Sequence, residues 1–319
     1  MISDDALRLE ADEAVELAHV LAFRLASDHG IRAMVIKGPV ARHFGLRPAG
    51  DTSIDVDIWV DPQRYETYCD LLRSVGWTIG VLHRSASIMA IHSDAFVHPT
   101  WPCEIDVHHR FPGFLADPQL VFDTLWERVV EMTVAGDQSL AAPDRISSIL
   151  IESLHLLRDG PGGQGRLAGL IERVAPLLGE RDKVDLAKLA HGVGAAESLE
   201  PVFDRLGVVA FVPPDPEPRH VESIADWRLR TTVGDALAVP AIAELSRTPL
   251  SRWPRMLWRT VWLTEAEIRE RQPGAAPGAW GLFRARLRRL GYGTLALAPA
   301  LRAVFGVRRQ VSRSGRRGR

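Results

Sequence analysis

The chain reads as an α/β (α+β) domain followed by a mostly helical one. Three observations predict this. Short apolar strands and amphipathic helices interleave through roughly residue 130, the pattern of a layered domain. Two of those strands, Ile54–Val60 (IDVDIWV) and Glu104–Arg110 (EIDVHHR), alternate apolar and polar side chains with period two. From Pro143 onward the segments are helical, separated by Gly- and Pro-rich connectors. We therefore expect a mixed domain over 1–140, a helical domain over 141–275 and a basic, partly disordered tail over 276–319.

The elements follow in order. Leu7, Leu9, Ala14, Leu17, Leu21 and Leu25 recur at helical spacing, so residues 4–29 form a helix that stops at Gly30. Ile31–Ile36 is a short buried strand, broken by Lys37-Gly38-Pro39, and Val40–Phe44 is a short helix. Arg47–Ser53 is a loop rich in turn residues, with Asp51 read as one of them. Ile54–Val60 is a strand, Gln63–Gly76 an amphipathic helix and Trp77–Leu82 another strand. Ile88–Val97 fits strand or helix, and Glu104–Arg110 is a strand. Ile146–Arg158, Arg166–Leu178 and Arg181–His191 are helices, the first two separated by a flexible loop over Asp159–Gly165. After the stiff connector Pro213–Pro218, helices resume over 222–247 and 254–271. Trp253, Trp258 and Trp262 stand at helical spacing and read as packing residues.

Composition narrows the function. Charged residues are an ordinary 25% of 319, and the formal net charge is -1. That average hides an asymmetry: after Glu270 there are twelve arginines and no acid, so the first 270 residues net -13 and the rest +12. The basic tail offers a contact to nucleic acid, an anionic membrane or the acidic body of the protein itself. Its end, RRQVSRSGRRGR, reads as disordered, and Leu282–Leu290 as amphipathic. Two cysteines make no disulfide framework, the N-terminus is acidic where a signal peptide would be basic, and no apolar run is long enough to span a bilayer. A cytoplasmic location without a transmembrane segment is the expectation.

The chemistry lies in the two alternating strands. In Ile54–Val60, Ile54, Val56, Ile58 and Val60 share one face, and Asp55 and Asp57 the other. Carboxylates at such positions stand about 7 Å apart at the α-carbon, so their oxygens can converge on one ion. Unpaired, they would repel and push one pKa upward. A hard divalent cation, Mg²⁺ or Mn²⁺, removes that conflict. In Glu104–Arg110, Glu104, Asp106 and His108 share the face opposite Ile105 and Val107. If the strands pair side by side, Asp106 completes a carboxylate triad. His108 then contacts substrate or orients Asp106. Zinc spacing is missing around His108 and His109. Lys37-Gly38-Pro39 sits at a strand-to-helix turn, where glycine lets a phosphate approach the backbone and Lys37 adds a point charge. Arg42, His43 and Arg47 lie within reach of phosphates or a base.

The run VIKGPVARHFGLRPAGDTSIDVDIWVDPQRYETYCDLLRSVGW, followed by EIDVHHRF, resembles the uncharacterised nucleotidyltransferase family of the DNA polymerase β-like superfamily. The matching residues are Lys37-Gly38, Arg47, Asp55-Val56-Asp57, Gly76-Trp77 and Asp106-Val107-His108, with His155, Arg166-Leu167 and Leu170 in a later helical segment. Two positions depart: Glu172 stands where Asp is usual, and Gly38-Pro39 where the wider superfamily has Gly-Ser. Proline has no N–H and serine's hydroxyl is lost, so phosphate binding at the turn is altered. The resemblance covers roughly residues 5–175.

It implies a nucleotidyltransferase-type mixed sheet and metal-dependent transfer of a nucleoside monophosphate from an NTP, such as ATP, to an acceptor hydroxyl. Asp55, Asp57 and Asp106 would be catalytic and metal-binding. Lys37, Gly38, Arg42, Arg47 and His108 would bind the nucleotide. The acceptor, small molecule, protein or tRNA, would sit between the domains. Two other classes stay open: a catalytically weak nucleotide- or RNA-binding regulator, which Gly38-Pro39 favours, and a toxin-like modifier of protein or tRNA, which the basic tail favours.

Overall fold

The computed structural model describes residues 10–51, 53–80, 92–209, 221–233 and 278–317, with shorter stretches between 242 and 274. The described elements begin with α1 (Ala11–Asp28), β1 (Ala33–Val35), α2 (Gly38–His43), β2 (Asp55–Val60) and α3 (Tyr65–Ser74). They continue with β3 (Thr78–Ile79), β4 (Ser93–Val97), β5 (Glu104–His108), α4 (Pro118–Trp126), β6 (Val129–Val134) and β7 (Gln138–Pro143). The helices α5 (Arg145–Arg158), α6 (Gln164–Val174), α7 (Glu180–Gly192), α8 (Glu200–Leu206) and α9 (Val221–Val233) follow, and a long helix spans Gly278–Arg317.

The mixed sheet expected from the sequence has the order β1-β2-β5-β4-β3. β2 and β5 run parallel, with Asp57 opposite Asp106 and Asp55 opposite Glu104, while the other neighbours are antiparallel. Period-two alternation gives the sheet two unlike faces. Val56, Ile58, Val60, Ile105 and Val107 form one buried core with Ala14, Ala18, Ala22 and Ala26 of α1 and with Tyr68 and Leu72 of α3. The small alanines let α1 lie close on the strands, and Tyr68 donates its hydroxyl to the Ala22 carbonyl at 2.8 Å. The opposite face carries the acids and Trp59. Trp59 is buried against Phe111, Phe114 and Phe122, with ring centroids 5.8, 5.6 and 6.5 Å away.

Several expectations are corrected. Ile54 is outside β2 and 79% exposed, because the ladder with β5 begins at Asp55 and gives Ile54 no partner. Asp159–Gly165 is not a loop throughout: Gly160–Gly163 forms a 3-10 turn and α6 begins at Gln164. The hairpin β6–β7 and α4 went unread in the sequence; the hairpin packs Met132, Leu140 and Ala142 against Val35 and Val40. Trp258 is 61% exposed, and Trp262 lies outside the described residues. Residues 1–9 and 81–91, which include parts of the first expected helix, of the expected strand Trp77–Leu82 and of the segment Ile88–Val97 that fits strand or helix, also lie outside them.

The chain divides into two compact units. The first contains 1–80, 92–157 and 164–216, so helices α6 to α8 and nearly all of α5 belong with the sheet, and the compact unit runs past the boundary drawn after residue 140. Ionic ties hold these helices: Arg128 bonds Asp144 at 2.8 Å and Asp185 at 2.6 Å. The second unit contains 81–91, 158–163 and 217–319. In it Leu263, Ile268, Leu282 and Ala285 form a small core, and Arg286 donates to the Leu263 carbonyl at 2.9 Å. The arginine-rich end, expected as disordered, is helical to Arg317. Arginine is a good helix former, and the segment lacks Asp and Asn, which compete for backbone bonds. No described helix is long and apolar enough to cross a membrane.

Candidate active site

The parallel pairing of β2 and β5 sets Asp57 beside Asp106 on one sheet face, with Asp55 two residues earlier on the same side. Asp57 Oδ1 accepts from Lys37 Nζ and lies 2.9 Å from His108 Nε2. His108 Nε2 also stands 3.2 Å from Asp106 Oδ2. One imidazole nitrogen thus bridges both carboxylates. Ligand atoms of Asp57, Asp106 and His108 all fall within 4.8 Å of one another. Ser53 donates to Asp55 Oδ1 at 3.0 Å and tethers the third carboxylate.

The electrostatics follow from this packing. Burial raises the Asp57 carboxyl, but Lys37 and then His108 outweigh it and hold Asp57 well below the usual carboxylate range. Burial likewise opposes ionisation of Asp106, and the His108 charge and hydrogen bond overcome it. Asp55 has no such cation in contact; burial and then the Asp57 charge push its pKa up. Burial and then Lys37 lower the His108 pKa, but the Asp106 charge together with the hydrogen bonds to Asp106 and Asp57 outweighs them, so the net shift is upward. The two carboxylates are therefore met by one lysine and one bridging imidazole, both buried.

A divalent cation fits this donor set. Asp106 Oδ1 is buried and has no hydrogen-bond partner among the described residues, a costly state for a carboxylate oxygen. Carboxylate oxygens are the hard ligands that Mg²⁺ and Mn²⁺ prefer. Asp57 and Asp106 are the residues that would hold such an ion, with Asp55 alongside. Lys37 and His108 neutralise the same oxygens from the protein side.

The remaining predicted residues are distributed more widely. Lys37 is buried and adopts φ 56°, a left-handed region that is unfavourable for a side chain with Cβ. Gly38 has φ 25°, and a Cβ there would stand 3.2 Å from Ser53 Oγ. Arg42 donates to the Asp51 carbonyl at 2.9 Å. Arg47 bonds both oxygens of buried Glu152 at 2.7 and 3.2 Å, and Asp57 contributes to raising its pKa after burial and these nearer partners have acted. Glu104 is exposed at the first position of β5. His109 faces Tyr65 with its ring centroid 4.6 Å away. Four residues went unread: Ser53, Ser93, Glu152 and His19. Ser93 hydrogen-bonds Asp106. His19 sits on the buried stripe of α1 and reads there as one more core position.

The chain matches the model of the family described as uncharacterised nucleotidyltransferase over residues 10–208. It is similar to a solved antigenic nucleotidyltransferase-like protein from Paracoccidioides brasiliensis, at 15% identity and TM-score 0.35, covering 64% of this chain and 96% of that one. It also matches a tRNA-processing enzyme in an apo form at 15% identity and TM-score 0.27, covering 90% and 81%. A tRNA nucleotidyltransferase complexed with a primer tRNA and an ATP analogue matches at 11% identity and TM-score 0.24, covering 93% and 98%. No curated protein matches the chain.

Proposed function

Since the chain belongs to the uncharacterised nucleotidyltransferase family, we propose that its first unit transfers a nucleoside monophosphate from an NTP to an acceptor hydroxyl and releases pyrophosphate. The observation that carries this reading is the Asp57–Asp106 pair, held side by side on parallel strands with one buried carboxylate oxygen unpartnered among the described residues. Asp55, Asp57 and Asp106 hold Mg²⁺ or Mn²⁺ in this reading. When bound, the cation neutralises triphosphate and pyrophosphate charge and lowers the barrier to attack on the α-phosphorus.

The protein's own groups do the rest. Asp106 accepts the proton of the attacking hydroxyl as the new P–O bond forms and the bond to pyrophosphate breaks. His108 fixes the orientation of both carboxylates through its bridging nitrogen. Lys37, Gly38, Arg42 and Arg47 face the phosphates, and Lys37 leaves Asp57 to do so.

The test is incubation with each α-labelled NTP, Mg²⁺ and pooled acceptors, including small molecules, protein and tRNA. Label transfer should appear with the wild type and vanish in Asp55→Ala/Asp57→Ala. Transfer that persists in that double variant sinks the reading. Pro39, which offers no N–H at the turn, favours a second reading as a nucleotide-binding regulator; tight Mg-NTP binding without product would support it.

A further inference from the structure

The helix Gly278–Arg317 carries two apolar faces. On one, Leu282, Ala285, Ala300 and Val304 are buried, and Leu282 and Ala285 pack with Leu263 and Ile268. Arg286 secures that packing by donating to the Leu263 carbonyl from two of its nitrogens. The second face is turned away from the first by about 120°, taking about 100° per residue. There Trp280, Phe283, Leu287, Leu290, Leu301 and Phe305 share a sector about 80° wide, which runs about 37 Å along the helix. All six are exposed, Trp280 by 69% and Phe305 by 57%. The rings of Trp280 and Phe283 stack with centroids 5.5 Å apart. Single exposed apolar residues need no explanation, but six gathered in one strip mark a contact surface.

Charge says what the strip meets. Arg284, Arg288 and Arg302 are exposed along one flank of it, and the sequence has no acid after Glu270. An arginine stem can lie along apolar surface while its guanidinium reaches an anionic group. A bilayer interface offers both partners: the acyl boundary takes Trp, Phe and Leu side chains, and anionic headgroups take the arginines. A second copy of this face would set arginine against arginine. RNA would satisfy the arginines, but Leu287, Leu290 and Leu301 have no ring on which a base could stack.

We propose that this helix is an interfacial anchor, which lays its exposed strip on the surface of an anionic lipid bilayer. It lies in the plane of the interface, held to the protein by its buried face. The proposal is independent of the transfer reading.

The experiment floats the full chain with vesicles of phosphatidylcholine, alone or mixed with phosphatidylserine. Binding should require phosphatidylserine. Arg284→Gln/Arg302→Gln should weaken it about thirtyfold, and Leu287→Gln/Phe305→Gln about tenfold. Glutamine is a good helix former and all four positions are exposed, so both variants should melt like the wild type. A second measurement needs neither of them: brominated acyl chains should quench part of the wild-type tryptophan fluorescence, and Trp280→Phe should reduce that quenching. No flotation with phosphatidylserine, equal flotation with the neutral vesicles, or quenching unchanged in Trp280→Phe overturns the proposal. RNA binding without vesicle binding overturns it in favour of a nucleic-acid contact. A dimer that Leu287→Gln/Phe305→Gln splits, again without vesicle binding, gives the strip to a second copy instead.

Discussion

The acidic face of β2 and β5 and the basic helix Gly278–Arg317 handle charge in opposite ways. On the sheet, Asp57 is 3% exposed and is met by Lys37 and His108, which are also buried. On the helix, Arg284, Arg288 and Arg302 are exposed, and the sequence has no acid after Glu270 to oppose them. A buried charge costs several kcal/mol unless it is paired, whereas an exposed one is screened within about 10 Å. The difference teaches where chemistry and where long-range attraction can arise. Tightly opposed charges in a low dielectric poise a site for a cation or phosphate. Exposed charges of one sign set up a field.

The largest expected effect comes from breaking the buried balance. Asp57→Asn should lower nucleotidyl transfer by at least about a thousandfold. It should also cost about 3 kcal/mol of stability, because Lys37 and His108 lose their shared counter-charge. Asp55→Asn should lose comparable activity yet keep or gain stability, since burial and Asp57 already disfavour its charge. Denaturant unfolding beside the transfer assay checks both. Equal stability losses in the two variants would show that the Asp57 pairing is not the special feature.

Arg47 provides the next test. Its partner Glu152 has a side chain only 2% exposed. Arg47→Ala should destabilise by about 3 kcal/mol by leaving that carboxylate buried without a counter-charge. In Arg47→Ala/Glu152→Gln most of that loss should return, while a phosphate role would leave the NTP affinity weakened. Urea midpoints and Mg-NTP binding, measured on both variants, separate the two contributions.

What the sequence makes legible is set by the range of each pattern. Asp55, Asp57 and Asp106 stand out because strand alternation assigns a face from neighbouring residues alone. Their meeting needs the β2–β5 register, which no local pattern encodes. The buried partner of Arg47 cannot be read locally, because Glu152 is 105 positions away. His19 is hidden because a histidine on an apolar helical stripe looks like packing. The hairpin carried a local signal at Ala135-Gly136, both at positive φ, but its strands mix exposed and buried sides too irregularly to announce themselves. The basic helix misleads for a compositional reason: charge of one sign suggests disorder, and only the burial of Leu282, Ala285, Ala300 and Val304 argues otherwise.

Between the two extremes lies His19, buried and neutral. Its pKa falls from the ordinary 6.5 to about 4 through burial, with the Val15 carbonyl and Asp57 opposing and Arg42 assisting. Between those values the unfolded chain binds a proton that the native protein refuses. Stability is therefore intact above about pH 6.5 and should fall on acidification toward pH 4, by about 3 kcal/mol in all from this group. His109, lowered to about 4 chiefly by burial, adds a smaller loss in the same direction because it is less enclosed. Urea unfolding at a series of pH values should show the slope, and His19→Phe should flatten it. A slope unchanged in that variant assigns the acid sensitivity elsewhere.

The smallest effect probes the exposed side of the comparison. If the arginines act as a field, Arg284→Gln/Arg288→Gln/Arg302→Gln should leave folding nearly untouched, since each side chain is exposed. Binding of a labelled single-stranded RNA should still weaken, and the slope of log affinity against log salt should drop by about 2, at roughly 0.7 for each lost phosphate contact. Anisotropy across a salt series reads this directly. Transfer to a small acceptor should not change, because that reaction depends on charges already opposed in the sheet. An unaltered salt slope would mean that these arginines make no phosphate contact. A parallel loss of small-acceptor transfer would mean that the two charge systems are coupled, and the contrast drawn between them would fail.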